Sequence, residues 1–237
     1  MGTEVKEEPT PLSETEIASF LYAAYRQLFG TEPCSDELAG AWAQVAIESG
    51  RGRAMKNHNF GNLTTSGTGP DYYVIEVDER VQRNPDRWEK LRLKFVSFDN
   101  PLAGARGYWA LLSARYAPAR ELFREGKFAG AAEKLSALGY FTAPVESSGY
   151  KHMAELAGEF KTNVLPKLDV DGLRQTMTVA TAASSNVATW PLWLGLAALA
   201  GLVGWQVYES AQEDQADAQR RAEAERELAD NLRLIVA

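Results

Sequence analysis

Apolar residues recur at helical spacing near the N-terminus. Ile17, Phe20, Leu21, Ala24, Tyr25 and Leu28 share one face, and Gly30 follows as a stop. A second helix is expected after Ser35, a plausible N-cap with Asp36 and Glu37 in the favoured first turn. Leu38, Trp42, Val45 and Ser49 trace one side of it, and Gly50 ends it. Tyr72 to Val77 and Leu91 to Phe98 are rich in β-branched and aromatic residues and predict two strands, the second closed by Asn100-Pro101. Leu102 to Leu112, Phe128 to Leu138 and about Tyr150 to Val164 return to helical spacing. The pattern predicts a mainly α domain over residues 14–168: a helical lobe with a small β-hairpin lobe between its second and third helices. Residues 1–13 read as an acidic tail.

The pattern changes beyond Leu168. Residues 169–189 read as a linker, rich in Thr, Ala and Ser toward its end. No charged residue occurs between Arg174 and Glu209. Within that gap, residues 190–208 would extend about 28 Å as a helix, close to the hydrocarbon thickness of a bilayer. Trp190, Trp193, Trp205 and Tyr208 stand at its two ends, where interfacial aromatics belong. Pro191 falls in the first turn, and Ala197, Ala200, Gly201 and Gly204 form small-residue pairs suited to helix packing. We expect a transmembrane helix here; a buried hairpin helix is the alternative. Residues 209–237 mix acidic and basic residues among alanines and read as a charged C-terminal helix. A plain solvated helix is the main reading; the helical spacing of Leu228, Leu232 and Ile235 gives a partner helix or self-association as the alternative.

Composition narrows the chemistry. Among 237 residues, 25 Lys and Arg face 32 Asp and Glu, a net charge of −7, so a nucleic-acid partner is not expected. One cysteine, Cys34, allows no disulfide within the chain and no Cys-based zinc site. The two histidines, His58 and His152, are far apart in sequence, which disfavours Ser-His and Cys-His catalysis. No metal and no cofactor is expected. The first residues are acidic and contain proline, with no apolar stretch of a signal peptide.

The candidate chemistry begins where the second helix stops, at Glu48-Ser49-Gly50-Arg51-Gly52-Arg53. A carboxylate at a helix C-terminus feels the negative end of the dipole, which disfavours its ionised form. Desolvation in a partly apolar cleft would act the same way, and both suit a general acid that keeps its proton near neutral pH. The alternative is a surface glutamate beside an ordinary glycine cap.

Glu48-Ser49-Gly50-Arg51-Gly52, followed by Asn59-Phe60-Gly61-Asn62-Leu63, resembles the glucosaminidase family of peptidoglycan hydrolases, glycoside hydrolase family 73. Three later stretches resemble the same family in the same order: Lys94 to Pro101, Gly107 to Leu112, and Leu138-Gly139-Tyr140-Phe141-Thr142-Ala143-Pro144. The resemblance covers about residues 14–165. It implies an α+β lysozyme-like fold whose two lobes flank a groove, and hydrolysis of the β-1,4 bond after N-acetylglucosamine in the peptidoglycan strand. Glu48 then matches the general acid. Glu76, on the first strand, aligns best with the family's second carboxylate, which activates water or steadies charge on the sugar; a solvated strand position is its alternative. Tyr140 matches a tyrosine lining the groove near the cleaved bond, or else packs in the core. Asn59, Phe60 and Asn62 match the segment below the acid, Phe60 as a surface for a sugar face and the asparagines as ligands or loop ties. Tyr72, on the strand face of Glu76, and Thr142 complete the expected substrate-binding set. Arg51, Arg53 and His58 are expected to face solvent or peptide carboxylates. The chain departs from the family in the long connection from Val81 to Trp88 and in Glu146 to Gly149.

Two other functions compete. A lytic transglycosylase shares the fold class and a single catalytic Glu, but the Gly-Leu-Met-Gln run usual there is absent. A non-catalytic wall-binding or structural protein on a decayed hydrolase fold is the other. A hydrolase without a signal peptide and with its own anchor fits a phage protein, held in the virion or the host envelope, that opens the wall locally during DNA entry. Its expected partners are peptidoglycan, a lipid membrane through residues 190–208, and virion proteins. Arg220, Arg221 and Arg226 bias the C-terminus to the inside.

Overall fold

A computed structural model of the chain describes residues 2–67, 69–83, 86–141 and 143–173, over 77–89 for the backbone alone. The expected linker after residue 173, membrane span (190–208) and charged helix (209–237) lie outside the described residues, as does Thr142. Among the described residues no helix is long and apolar enough to cross a membrane.

Helix α1 (Glu14–Phe29) opens on a capping box. The Ser13 side chain accepts from the Glu16 amide, and the Glu16 carboxylate accepts from the Ser13 amide at 2.8 Å. Gly30 closes it in the left-handed conformation, as the sequence predicts. Helix α2 (Ser35–Ser49) starts one residue earlier than expected in its cap. Cys34, not Ser35, has the extended backbone, and its sulfur accepts from the Glu37 amide. Gly50 ends the helix in the left-handed region.

α2 is the axis of the helical body. The expected one-sided burial is incomplete, because residues from Glu37 to Ala46 are all buried. Small residues on its flanks allow this: Ala39, Gly40, Ala41, Ala43 and Ala46 let α1, α4 (Ala117–Arg124) and α6 (Met153–Glu159) approach closely. A Cβ on Gly40 would lie 2.4 Å from the Phe123 ring of α4. Helix α3 (Pro101–Ala114) packs on α1, and α5 (Phe128–Ala137) packs on α4. Trp42 and Trp109 have no exposed surface, and each indole N–H finds a backbone carbonyl, Glu14 and Leu21 respectively. Truncating either to alanine would cost about 3–5 kcal/mol.

The sequence did not predict α4. Pro118 stands in its first turn, where a missing amide costs nothing, and Ala119 and Phe123 supply its buried stripe. The expected last helix is a composite: a 3₁₀ turn (Gly149–His152), α6, and a π turn (Phe160–Val164).

Strands β1 (Tyr72–Arg83) and β2 (Asp86–Val96) form one antiparallel hairpin, from Tyr72 opposite Val96 to Arg83 opposite Asp86, with an irregularity between Arg80 and Gln82. Most of the Val81–Trp88 segment, taken from the sequence as a long connection, is therefore strand. The fold is mainly helical with a small two-stranded sheet, as predicted.

Residues 3–12, the supposed acidic tail, lie as an extended strap on the domain. Tyr72 donates its amide to Thr3 and accepts from Val5, bridging the strap to β1. Thr10 and Leu12 donate to Met55 and Gly52, and Asn57 bonds both Lys6 and Glu8. Gly52 has φ +85°, and a Cβ there would stand 2.2 Å from the Leu12 carbonyl oxygen, so the strap demands glycine. The acidic composition hid this role, because the strap is held mostly by its backbone, with the Thr10 hydroxyl accepting from the His58 amide and Glu7 pairing with Lys56 as its side-chain ties.

Candidate active site

The loop from Gly50 to Leu63 carries the C-terminal end of α2 to the hairpin. Four non-glycine residues in it are left-handed: Arg51, Asn57, His58 and Asn62. Such conformations persist only where surrounding bonds over-determine them. Ser49 supplies several: its hydroxyl donates to the Val45 carbonyl at 2.6 Å and accepts from the Gly52 amide at 2.9 Å. Arg51 does not face open solvent. It bonds Glu14 of α1 at 3.0 Å and also Glu159 of α6, and so braces the turn against two helices.

Glu48 is half-buried at this turn. Tyr150 donates its hydroxyl to Glu48 Oε1 at 2.5 Å. Asn62 donates Nδ2 to Oε2 at 2.8 Å and to the Glu48 backbone carbonyl at 3.0 Å. Among the described residues no cation pairs with this carboxylate. Desolvation raises its pKa above the ordinary glutamate value, and the two donors only partly oppose that. Glu48 thus combines a helix C-terminus, partial burial and two neutral hydrogen-bond donors.

Three tyrosines stand around it. Tyr140 donates to the Gly61 carbonyl at 2.6 Å, and its ring meets Tyr116 at 4.9 Å and Tyr150 at 6.4 Å. Tyr108 donates to Gln44 Oε1 at 2.8 Å, one helical turn before Glu48. Burial first, and the nearby Glu48 carboxylate second, push Tyr108, Tyr140 and Tyr150 well above the usual tyrosine pKa. All three remain neutral hydroxyl donors around neutral pH.

The remaining sequence expectations divide. Asn62 joins Glu48 directly. Asn59 does not: it is buried, its Nδ2 donates to Leu63 and Val96, and its Oδ1 accepts from Leu63, so its amide ties the loop to β2. Phe60 has no exposed surface and meets Phe20 edge-on at 6.5 Å, which corrects the expectation of a sugar-stacking ring. Tyr72 is half-buried at the hairpin base, with Lys94 Nζ 4.6 Å above its ring. Glu76 is exposed on β1 opposite Arg92, and no described contact brings it to Glu48. His58 is half-buried, and burial lowers its pKa. Tyr150 and Gln44 escaped the sequence reading. The i, i+4 spacing of Gln44 to Glu48 was a usable signal; nothing in the spacing of Tyr150 points to a contact 102 residues away.

A depression of about 380 Å³ lies nearby, walled by Ile47, Arg51, Gly149, His152, Glu155, Leu156 and Glu159. Glu48 is not among its walls, so we place the candidate chemistry at the carboxylate and not there. Among the described residues no cluster of His, Cys, Asp and Glu could hold a metal ion.

No protein-family model and no curated protein matches the chain. Among solved structures it is similar to the C-terminally truncated glycoside hydrolase domain of Salmonella typhimurium FlgJ, at 20% identity over 63% of this chain and 99% of that one, with a TM-score of 0.40. It is also similar to the glycoside hydrolase domain of the same protein, at 18% identity over 73% of this chain and 100% of that one, with a TM-score of 0.40.

Proposed function

We propose that the chain is a peptidoglycan hydrolase of lysozyme-like fold that cleaves the β-1,4 bond after N-acetylglucosamine, with Glu48 as general acid. The observation that carries this reading is a half-buried carboxyl at a helix C-terminus, bonded by two neutral donors and raised in pKa by burial. The order of motifs from Glu48 to Pro144 supports the same substrate class. Glu48 hands its proton to the glycosidic oxygen as the bond to the sugar breaks, and the resulting carboxylate is received by Asn62 and Tyr150. Glu76 is the hairpin carboxylate we assign to the water or the sugar cation. Tyr140 fixes the Gly61 backbone beside the acid. Residues 190–208 anchor the enzyme in a membrane, and the setting we propose is a phage virion or the host envelope.

The test is the full chain on purified peptidoglycan, beside Glu48→Gln. Products should carry N-acetylglucosamine reducing ends, and the variant should bind while losing about 10²–10⁴-fold in rate. An active Glu48→Gln would remove the general acid. Anhydro ends would make the enzyme a transglycosylase, and binding without cleavage by the wild type would make it a wall-binding protein. Fractionation of infected cells tests the setting: cytosolic protein absent from particles would overturn it.

A further inference from the structure

The two donors on Glu48 differ in kind and in place. Asn62 approaches Oε2 from an exposed loop position, and its amide nitrogen can only donate. Tyr150 approaches Oε1 from a buried one. Its ring is held by parallel stacking on Phe141, 4.0 Å between centroids, and by the Ser148 hydroxyl accepting from its amide at 3.2 Å. The turn that bears it is packed on the end of α2, since a Cβ on Gly149 would lie 3.0 Å from Ile47.

We propose that Tyr150 is the positioning residue of the acid: by occupying Oε1 from the protein side, it leaves Oε2, on the open side beside Asn62, as the oxygen that carries the transferable proton. The inference rests on Glu48 being the general acid. In the protonated state Tyr150 donates to the carbonyl-like Oε1, and Asn62 keeps its second partner, the Glu48 backbone oxygen. When the Oε2 proton passes to the glycosidic oxygen, that oxygen takes the electron pair of the broken bond to the sugar carbon. The charge left on Glu48 is shared by the two donors already in place, with no side chain required to move. The titratable groups facing Glu48 are Tyr150 itself, Tyr140 after α5 and Tyr108 of α3, all neutral; Asn62 and Gln44 do not titrate.

The test compares full-length wild type, Tyr150→Phe and Glu48→Gln on purified peptidoglycan. Tyr150→Phe removes one oxygen. It should lower kcat roughly tenfold with KM unchanged, as loss of a bond to a charged group does. The alkaline limb of its pH profile should move to higher pH, because a donor to the ionised carboxyl is gone. An unchanged kcat overturns the proposal. So does a lower kcat with an unmoved limb, which is what a packing role gives. Should Tyr150→Phe not fold, infrared difference spectra of wild type against Glu48→Gln at acid pH decide. A hydrogen-bonded carboxyl C=O band is expected, and one at the frequency of an unbonded acid overturns the proposal. An active Glu48→Gln would sink the general-acid reading itself. An inactive Glu48→Gln beside an unaltered Tyr150→Phe would sink only the role of Tyr150.

Discussion

Helix α2 carries a carboxylate at each end, and the two are treated in opposite ways. Glu37, in the first turn, is 1% exposed. It is met by two guanidinium groups, Arg120 at 2.6 Å and Arg124 at 3.2 Å, and by the Tyr25 hydroxyl at 3.0 Å. The positive end of the helix dipole favours its charge as well. Glu48, in the last turn, has neutral donors only and the unfavourable end of the dipole. A buried carboxylate given cations becomes a brace, here fastening α4 to α2. A carboxylate given hydroxyl and amide alone keeps a reason to hold its proton. The residue type and the helix are the same; the difference lies in the partners and in which end of the helix dipole each carboxylate meets.

The sharpest way to break that comparison is to neutralise each end in turn. Glu48→Gln should cost about 10²–10⁴-fold in hydrolysis of purified peptidoglycan while the thermal melt stays close to wild type. Glu37→Ala should do the reverse. Leaving Arg120 uncompensated should cost about 3–5 kcal/mol in urea unfolding, with the folded fraction still active. A stable Glu37→Ala would show that the brace is ornamental.

Gly52→Ala tests whether the Glu48 end of α2 leans on the strap. The Leu12 carbonyl must move or the turn must unwind, at a cost of about 1–3 kcal/mol in unfolding measurements. Activity should fall with it, because Glu48 and Asn62 flank that turn.

The smallest effect is a dependence of stability on pH. The folded pKa of Glu48 is raised, so folding favours its protonated form. That contribution is complete below the ordinary carboxylate range and is lost as pH rises through the folded value. Wild type should therefore lose ground to Glu48→Gln across that window in paired melting curves. Parallel curves would contradict the raised pKa.

What the sequence revealed, and what it hid, follows the same physics. Glu48 was legible because helix periodicity and Gly50 put it at a helix end without reference to distant residues. The fold class was legible for similar reasons, since α1, α2 and α3 carry local caps and stripes. Phe60 was misjudged, and the choice between ligand and loop tie was left open for Asn59 and Asn62, because a motif gives proximity to a site but not the direction of a side chain: Asn62 turns toward the carboxyl, Asn59 ties the loop to β2, and Phe60 turns into the core. The outer hairpin was missed because charged residues from Asp78 to Lys90 conceal its alternation. Tyr150 was missed because its partner is reached only through the packing of the last helices on α2.

The strap has a practical side. It links the turn beneath Glu48 to the first residue of β1 largely through its own main chain, so substitutions along it should be well tolerated except at Thr10, whose hydroxyl accepts from the His58 amide, and at Glu7, which pairs with Lys56. Trimming by a protease, or a deletion of the first dozen residues to tidy an expression vector, would unfasten both lobes at once. Purification schemes should place any affinity tag so that these leading residues remain whole.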